Sequence, residues 1–104
     1  MEKLKDKINK LGWSVYEINF ADGTGWEIGK YSPAGEDFTF CIQHNNNKKQ
    51  AIKEIKESAE YFDEDEHARI WANAGNVGQP QTLKELVEDA ESIHLMLLEL
   101  ANNL

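Results

Sequence analysis

The strongest constraint on the fold is a change of hydrophobic period at Gly12. Before it, Leu4, Ile8 and Leu11 recur at i, i+4, i+7 among Lys3, Lys5, Lys7 and Lys10. That spacing predicts a short amphipathic helix over 2–11, ended by the glycine, with lysines near its end that suit the helix dipole. After it the period is two. Tyr16, Ile18 and Phe20 share one face of a strand, and Trp13, Val15 and Glu17 share the other. Asp22-Gly23 reads as a turn relaxed by Gly25. A second strand follows from about Thr24 to Tyr31, with Trp26 and Ile28 on one face. Ser32-Pro33-Ala34-Gly35 is a second tight turn. Phe38, Phe40 and Ile42 then alternate with Thr39, Cys41 and Gln43, so the first three are expected in the core together. Three strands joined by two short turns make an antiparallel meander with one face suited to cover by helices.

The helical period returns after Asn45-Asn46-Asn47. Ile52, Ile55, Ala59 and Phe62 mark a helix over 48–62. Asp63 with Glu66 forms a capping box that opens another helix running through Ala74, and 75–80 reads as a loop. Thr82 with Glu85 is a second capping box. It opens a last helix whose stripe holds Leu83, Leu86, Val87, Ala90, Ile93, Leu97, Leu100, Ala101 and Leu104. The expectation is one α+β domain over residues 1–104, a three-stranded meander packed against helices in the order α-β-β-β-α-α-α.

Composition narrows the chemistry. Nineteen acids against eleven bases give a net charge of −8, the opposite of the basic face a nucleic-acid binder presents. The single cysteine excludes an internal disulfide and a cysteine-based zinc site. No apolar run approaches the length of a membrane span, and the N-terminal stretch has no apolar region of the kind a secretory signal needs, so the expected location is the cytoplasm.

The acidic run Asp63-Glu64-Asp65-Glu66-His67 is the first candidate site. A calcium loop would start well at Asp63 and Asp65, but its sixth position is Ala68 rather than glycine and its twelfth is Ala74 rather than glutamate. Acids in a helix's first turn satisfy orphan N–H groups and the dipole without any metal. His67 lies four residues after Asp63, near enough to meet it on one helical face. Cys41 and His44 point to opposite faces of a strand, so they read as a half-buried structural cysteine and a polar cap rather than a nucleophile and its base. No cofactor motif is present: Gly23-Thr24-Gly25 joins two strands and opens no helix for a phosphate.

Charge asymmetry is the most informative feature. Residues 1–12 carry +2, 13–47 carry −4, 48–62 carry +1 and 63–104 carry −7. An electrostatic face for a basic protein is therefore expected on the C-terminal helices, with Glu85, Glu88, Asp89, Glu91, Asp63, Glu64 and Asp65 as its contact residues. Glu85, Glu88 and Asp89 fall at i, i+3, i+4 and are expected to be exposed. Leu95, Met96 and Leu98 lie off the main stripe of the last helix. They need either internal cover or a second copy of the chain, so a homodimer through that helix is an open expectation.

Trp26 and Ile28, the run Tyr31 to Phe38, Phe62-Asp63 with Asp65-Glu66-His67 and Trp71, and Glu85-Leu86 with Asp89-Ala90-Glu91 together resemble a small acidic family of uncharacterised proteins from phages and conjugative elements of Gram-positive gut bacteria. The resemblance covers most of the chain after residue 13 and carries over no site residue. It implies an accessory protein of a mobile element. By analogy with acidic antirestriction and anti-CRISPR proteins that mimic DNA, it implies a host-defence inhibitor. The expected function is thus non-enzymatic binding of a basic, nucleic-acid-handling protein, with no direct contact to nucleic acid or membrane. The alternatives are a small metal-binding protein or enzyme using Asp63, Asp65, Glu66 and His67, or a structural dimer.

Overall fold

The computed structural model of the chain describes residues 1–73 and 82–104. The elements run α1 (Glu2–Lys10), β1 (Ser14–Phe20), β2 (Gly23–Tyr31), β3 (Asp37–Gln43), α2 (Lys48–Glu60), α3 (Glu64–Asn73) and α4 (Leu83–Asn102). This is the α-β-β-β-α-α-α order and the α+β class read from periodicity. The expected helix end at Ala74 and the loop over 75–80 lie outside the described residues.

The period change at Gly12 is built as a Schellman cap. Gly12 adopts φ 95°, its N–H donates to the Asn9 carbonyl at 3.0 Å, and Trp13 N–H donates to Ile8 at 3.3 Å. Only a residue without Cβ takes that backbone cheaply, and the cap brings Trp13 onto Ile8 in the core.

The three strands form one antiparallel sheet in the order β1-β2-β3. Val15 pairs with Ile28, and Ile28 in turn with Phe40. That register puts Trp13, Val15, Trp26, Ile28, Phe38 and Ile42 on the face the helices cover. It also corrects the first turn. Phe20 pairs with Gly23, so the loop is Ala21-Asp22 and Gly23 already belongs to β2. A slip of one residue would send Trp26 and Ile28 to solvent, and burial of those two outweighs the local preference for Asp-Gly at the turn. Gly25 does not relax the turn. It lies beneath the Phe20 ring, where a Cβ would collide. The second turn is as expected, with Gly35 N–H donating to Ser32 at 2.9 Å.

The covered face is filled by Leu4 and Ile8 of α1, Ala51, Ile55 and Ala59 of α2, and Ile93, Leu97, Leu100 and Ala101 of α4. A satellite cluster of Ala68, Leu86 and Ala90 fastens α3 to α4. Phe40 is only half-buried, packed at the edge of the core against Trp13 with ring centroids 5.8 Å apart. Met96 and Leu98 also pack against the core, whereas Leu95 is exposed. The apolar face available on α4 for a dimer is therefore a single side chain from that trio. Cys41 is exposed rather than half-buried, because its position in β3 faces the sheet surface that no helix covers.

Candidate functional site

Both helix caps that define the acidic region form as the sequence indicates. Asp63 Oδ1 accepts from Glu66 N–H at 3.0 Å, and Thr82 Oγ1 accepts from Glu85 N–H at 3.1 Å. The Thr82 hydroxyl also donates to Glu85 Oε1 at 2.9 Å. These caps fix the first turns of α3 and α4, and so fix where the clustered carboxylates stand.

The acidic run at 63–67 is dispersed by its geometry. Asp63 caps α3, while Asp65 and Glu66 point to solvent. Glu64 turns inward and accepts from His94 Nδ1 at 2.8 Å. His94 Nε2 meanwhile stands 3.0 Å from the Ala59 carbonyl, so its ring faces an acceptor on each side and joins α2, α3 and α4. His67 does not meet the Asp63 carboxylate. Its Nε2 donates to both oxygens of Glu36, at 2.8 and 3.0 Å. Glu36 is 5% exposed, so this pair carries a buried carboxylate from the β2–β3 turn to α3. Phe62 wedges between the two histidines, 5.2 Å from His67 and 5.6 Å from His94 between ring centroids. Among the described residues no group of three His, Cys, Asp or Glu side chains is placed to hold a metal ion.

The proposed contact residues of α4 divide in two. Glu85, Glu88 and Glu91 are exposed. Asp89 is not: it is 8% exposed and accepts from the Ser32 hydroxyl at 2.7 Å and from Ala34 N–H at 3.1 Å. The expectation of an exposed Asp89 is thus corrected. The β2–β3 turn folds over α4, and its hydroxyl and amide need an acceptor that Asp89 supplies. Ser32 is buried with it and relays the contact, accepting from Glu36 N–H at 3.0 Å.

The turn and α4 border an open depression of about 300 Å³ lined by Pro33, Ala34, Glu85, Glu88, Asp89 and Ser92. A second one of about 550 Å³ is lined by Glu60 to Asp65 and His94. Carboxylates rim both. Among the described residues the only Lys or Arg ion pair is Lys53–Glu57 within α2, at 3.8 Å. Arg69 and Lys84 therefore neutralise none of the carboxylates on α3 and α4 at contact distance.

Sequence reasoning missed the buried Glu36, and missed a polar group at the far end of the sheet. There Trp26 Nε1 donates to Glu17 Oε1 at 2.8 Å, and buried His44 accepts from Asn46 N–H on Nδ1 at 2.9 Å. That acceptor role leaves the His44 proton on Nε2, 3.5 Å from Glu17 Oε2. Burial pushes the Cys41 thiol above its ordinary pKa, and the neighbouring Glu27 carboxylate adds to the shift, so an exposed cysteine is held as thiol.

No helix among the described residues is long and apolar enough to cross a membrane. No protein-family model, no curated protein and no solved structure matches the chain.

Proposed function

We propose that this chain is a non-enzymatic, cytoplasmic accessory protein of a mobile element. It binds a basic, nucleic-acid-handling protein and acts as an inhibitor of host defence. The observation that carries this reading is the set of exposed carboxylates on two adjacent helices, Asp63, Asp65 and Glu66 with Glu85, Glu88 and Glu91, none of them paired with a lysine or arginine among the described residues. A surface left so unbalanced attracts a positive one, steers its approach and competes with the phosphates such a partner otherwise holds. Asp89 and Glu64 serve this surface from behind, by fastening the turn and α3 in place.

The test is recovery of partners with a tagged copy in the native host, followed by DNA competition against the purified partner. The reading expects a basic nucleic-acid-binding protein whose DNA is displaced by this chain. Recovery of partners without a basic surface, or a partner that holds DNA and this chain together, contradicts it.

A further inference from the structure

β1 carries large apolar side chains on both faces, yet helices cover only one. Trp13 and Val15 enter the core, while Tyr16 is 65% exposed, Phe20 37% exposed and Ile18 half-buried on the bare face. β1 is also an edge strand. Phe20 and Gly23 flank a two-residue loop and so exchange backbone hydrogen bonds. By alternation Ile18, Tyr16 and Ser14 also bond inward to β2. The N–H and C=O groups of Val15, Glu17 and Asn19 therefore point out of the sheet, and no other backbone group among the described residues meets them. The opposite edge is closed at one end. At the end of β3, α2 closes the outward groups of Gln43, whose N–H donates to Glu54 Oε1 at 2.8 Å and whose carbonyl accepts from Gln50 Nε2 at 3.1 Å. Of the usual devices against edge pairing β1 has a single charge, Glu17, and no proline, lysine or bulge.

We propose that β1 is a homodimer interface, pairing antiparallel with β1 of a second copy about a two-fold axis at Ile18. The strand is self-complementary in that register. Ile18 faces Ile18 of the second copy, and Tyr16 and Phe20 face each other twice across the axis, on the bare side of the sheet. On the other side Glu17 faces Asn19, and the outward groups of these two residues supply the central hydrogen bonds. The neighbouring register, centred on Glu17, sets two carboxylates opposite each other and is disfavoured by charge. Charge does not favour the contact: α1, which packs beside β1, carries four lysines against two acids in each copy, and the whole chain is −8. The strand hydrogen bonds and apolar pairs must therefore outweigh a like-charge repulsion that salt screens. The result is a six-stranded sheet, with the bare-face residues of β1 flanked on their open side by their counterparts.

Sedimentation equilibrium of the full chain from low micromolar to several hundred micromolar tests this, with thermal melts to confirm that each variant folds. The wild type is expected to dimerise. Ile18→Lys is expected to weaken association by roughly tenfold or more, through like charges set directly across the axis. Asn19→Pro removes an outward donor without touching a bond to β2, and should do the same. Leu95→Lys on α4 should leave the dimer intact. In a Cys41→Ser background, Ile18→Cys should cross-link on oxidation. A chain that stays monomeric throughout overturns the proposal. So does a dimer that ignores Ile18→Lys and Asn19→Pro, or one that Leu95→Lys dissolves.

Discussion

The Ser32 hydroxyl donates to Asp89 at 2.7 Å across 57 positions of sequence, and both side chains are buried. This one contact ties the β2–β3 turn to α4, and Asp89 takes a second bond from Ala34 N–H. Asp89→Ala is expected to cost about 1–3 kcal/mol, because it leaves the hydroxyl and the amide without their acceptor in a buried place. Asp89→Lys should cost more, whereas reversal of the exposed Glu88 should leave the urea midpoint nearly unchanged. A tolerated lysine at 89 would show that the turn is not held by this carboxylate.

Glu36 depends on His67 in a similar way. His67→Ala should destabilise the fold by about 3 kcal/mol, near the lower end for stripping one partner from a buried pair, because the histidine side of the contact is partly open to water. The double change His67→Ala with Glu36→Ala should cost less than the two single changes together. Additive losses in chemical denaturation would contradict the pairing.

The two helix caps give a local check on how the acidic surface is positioned. Asp63→Ala and Thr82→Ala should each lower stability by about 0.5–2 kcal/mol. Replacement by asparagine at 63 and by serine at 82 should restore most of it, read from melting temperatures. Loss that persists with these capping residues would mean that the side chains serve something other than the exposed N–H groups of α3 and α4.

What could be read from the sequence was whatever is local. The period change at Gly12, the Ser32–Gly35 turn and the N-caps at Asp63 and Thr82 rest on residues within a few positions of one another, and all four form. The reciprocal bond of a full capping box, from the glutamate back to the cap's N–H, is not made at either among the described residues. The partners of Asp89, Glu36 and Glu64 lie 57, 31 and 30 positions away, and no local spacing encodes them. The i, i+4 spacing with Glu85 predicts an exposed Asp89, but the β2–β3 turn lands on that part of α4. The faces of β1 were equally opaque. With apolar residues on both sides, alternation fixed the strand but not which side the helices would take.

Cys41 offers a chemical test of the bare sheet face. Partial burial and then Glu27 raise its thiol pKa above the ordinary value, so at neutral pH very little thiolate exists despite the exposure. Alkylation by iodoacetamide should be slow at pH 7 and should climb steeply as pH rises through the alkaline range. Glu27→Gln removes the carboxylate directly across the strand pair, which lowers the pKa and should speed alkylation at any fixed pH below it. Equal rates in the two proteins would place Glu27 outside the thiol's field.

The central claim is that exposed carboxylates on α3 and α4 recognise a basic protein. The most direct measurement is the salt dependence of binding to the partner recovered from the host, for the wild type and for the combined variant Glu85→Lys, Glu88→Lys, Glu91→Lys. All three side chains are exposed and none pairs with a lysine or arginine among the described residues. The variant should therefore still fold, with a melting temperature lowered only by loss of the Thr82 hydroxyl's bond to Glu85 and of an acid in the first turn of α4. The account predicts that wild-type association slows and weakens as salt is raised, and that the variant binds far more weakly and has lost most of that dependence. Binding of equal strength by the two proteins, indifferent to salt, would contradict it.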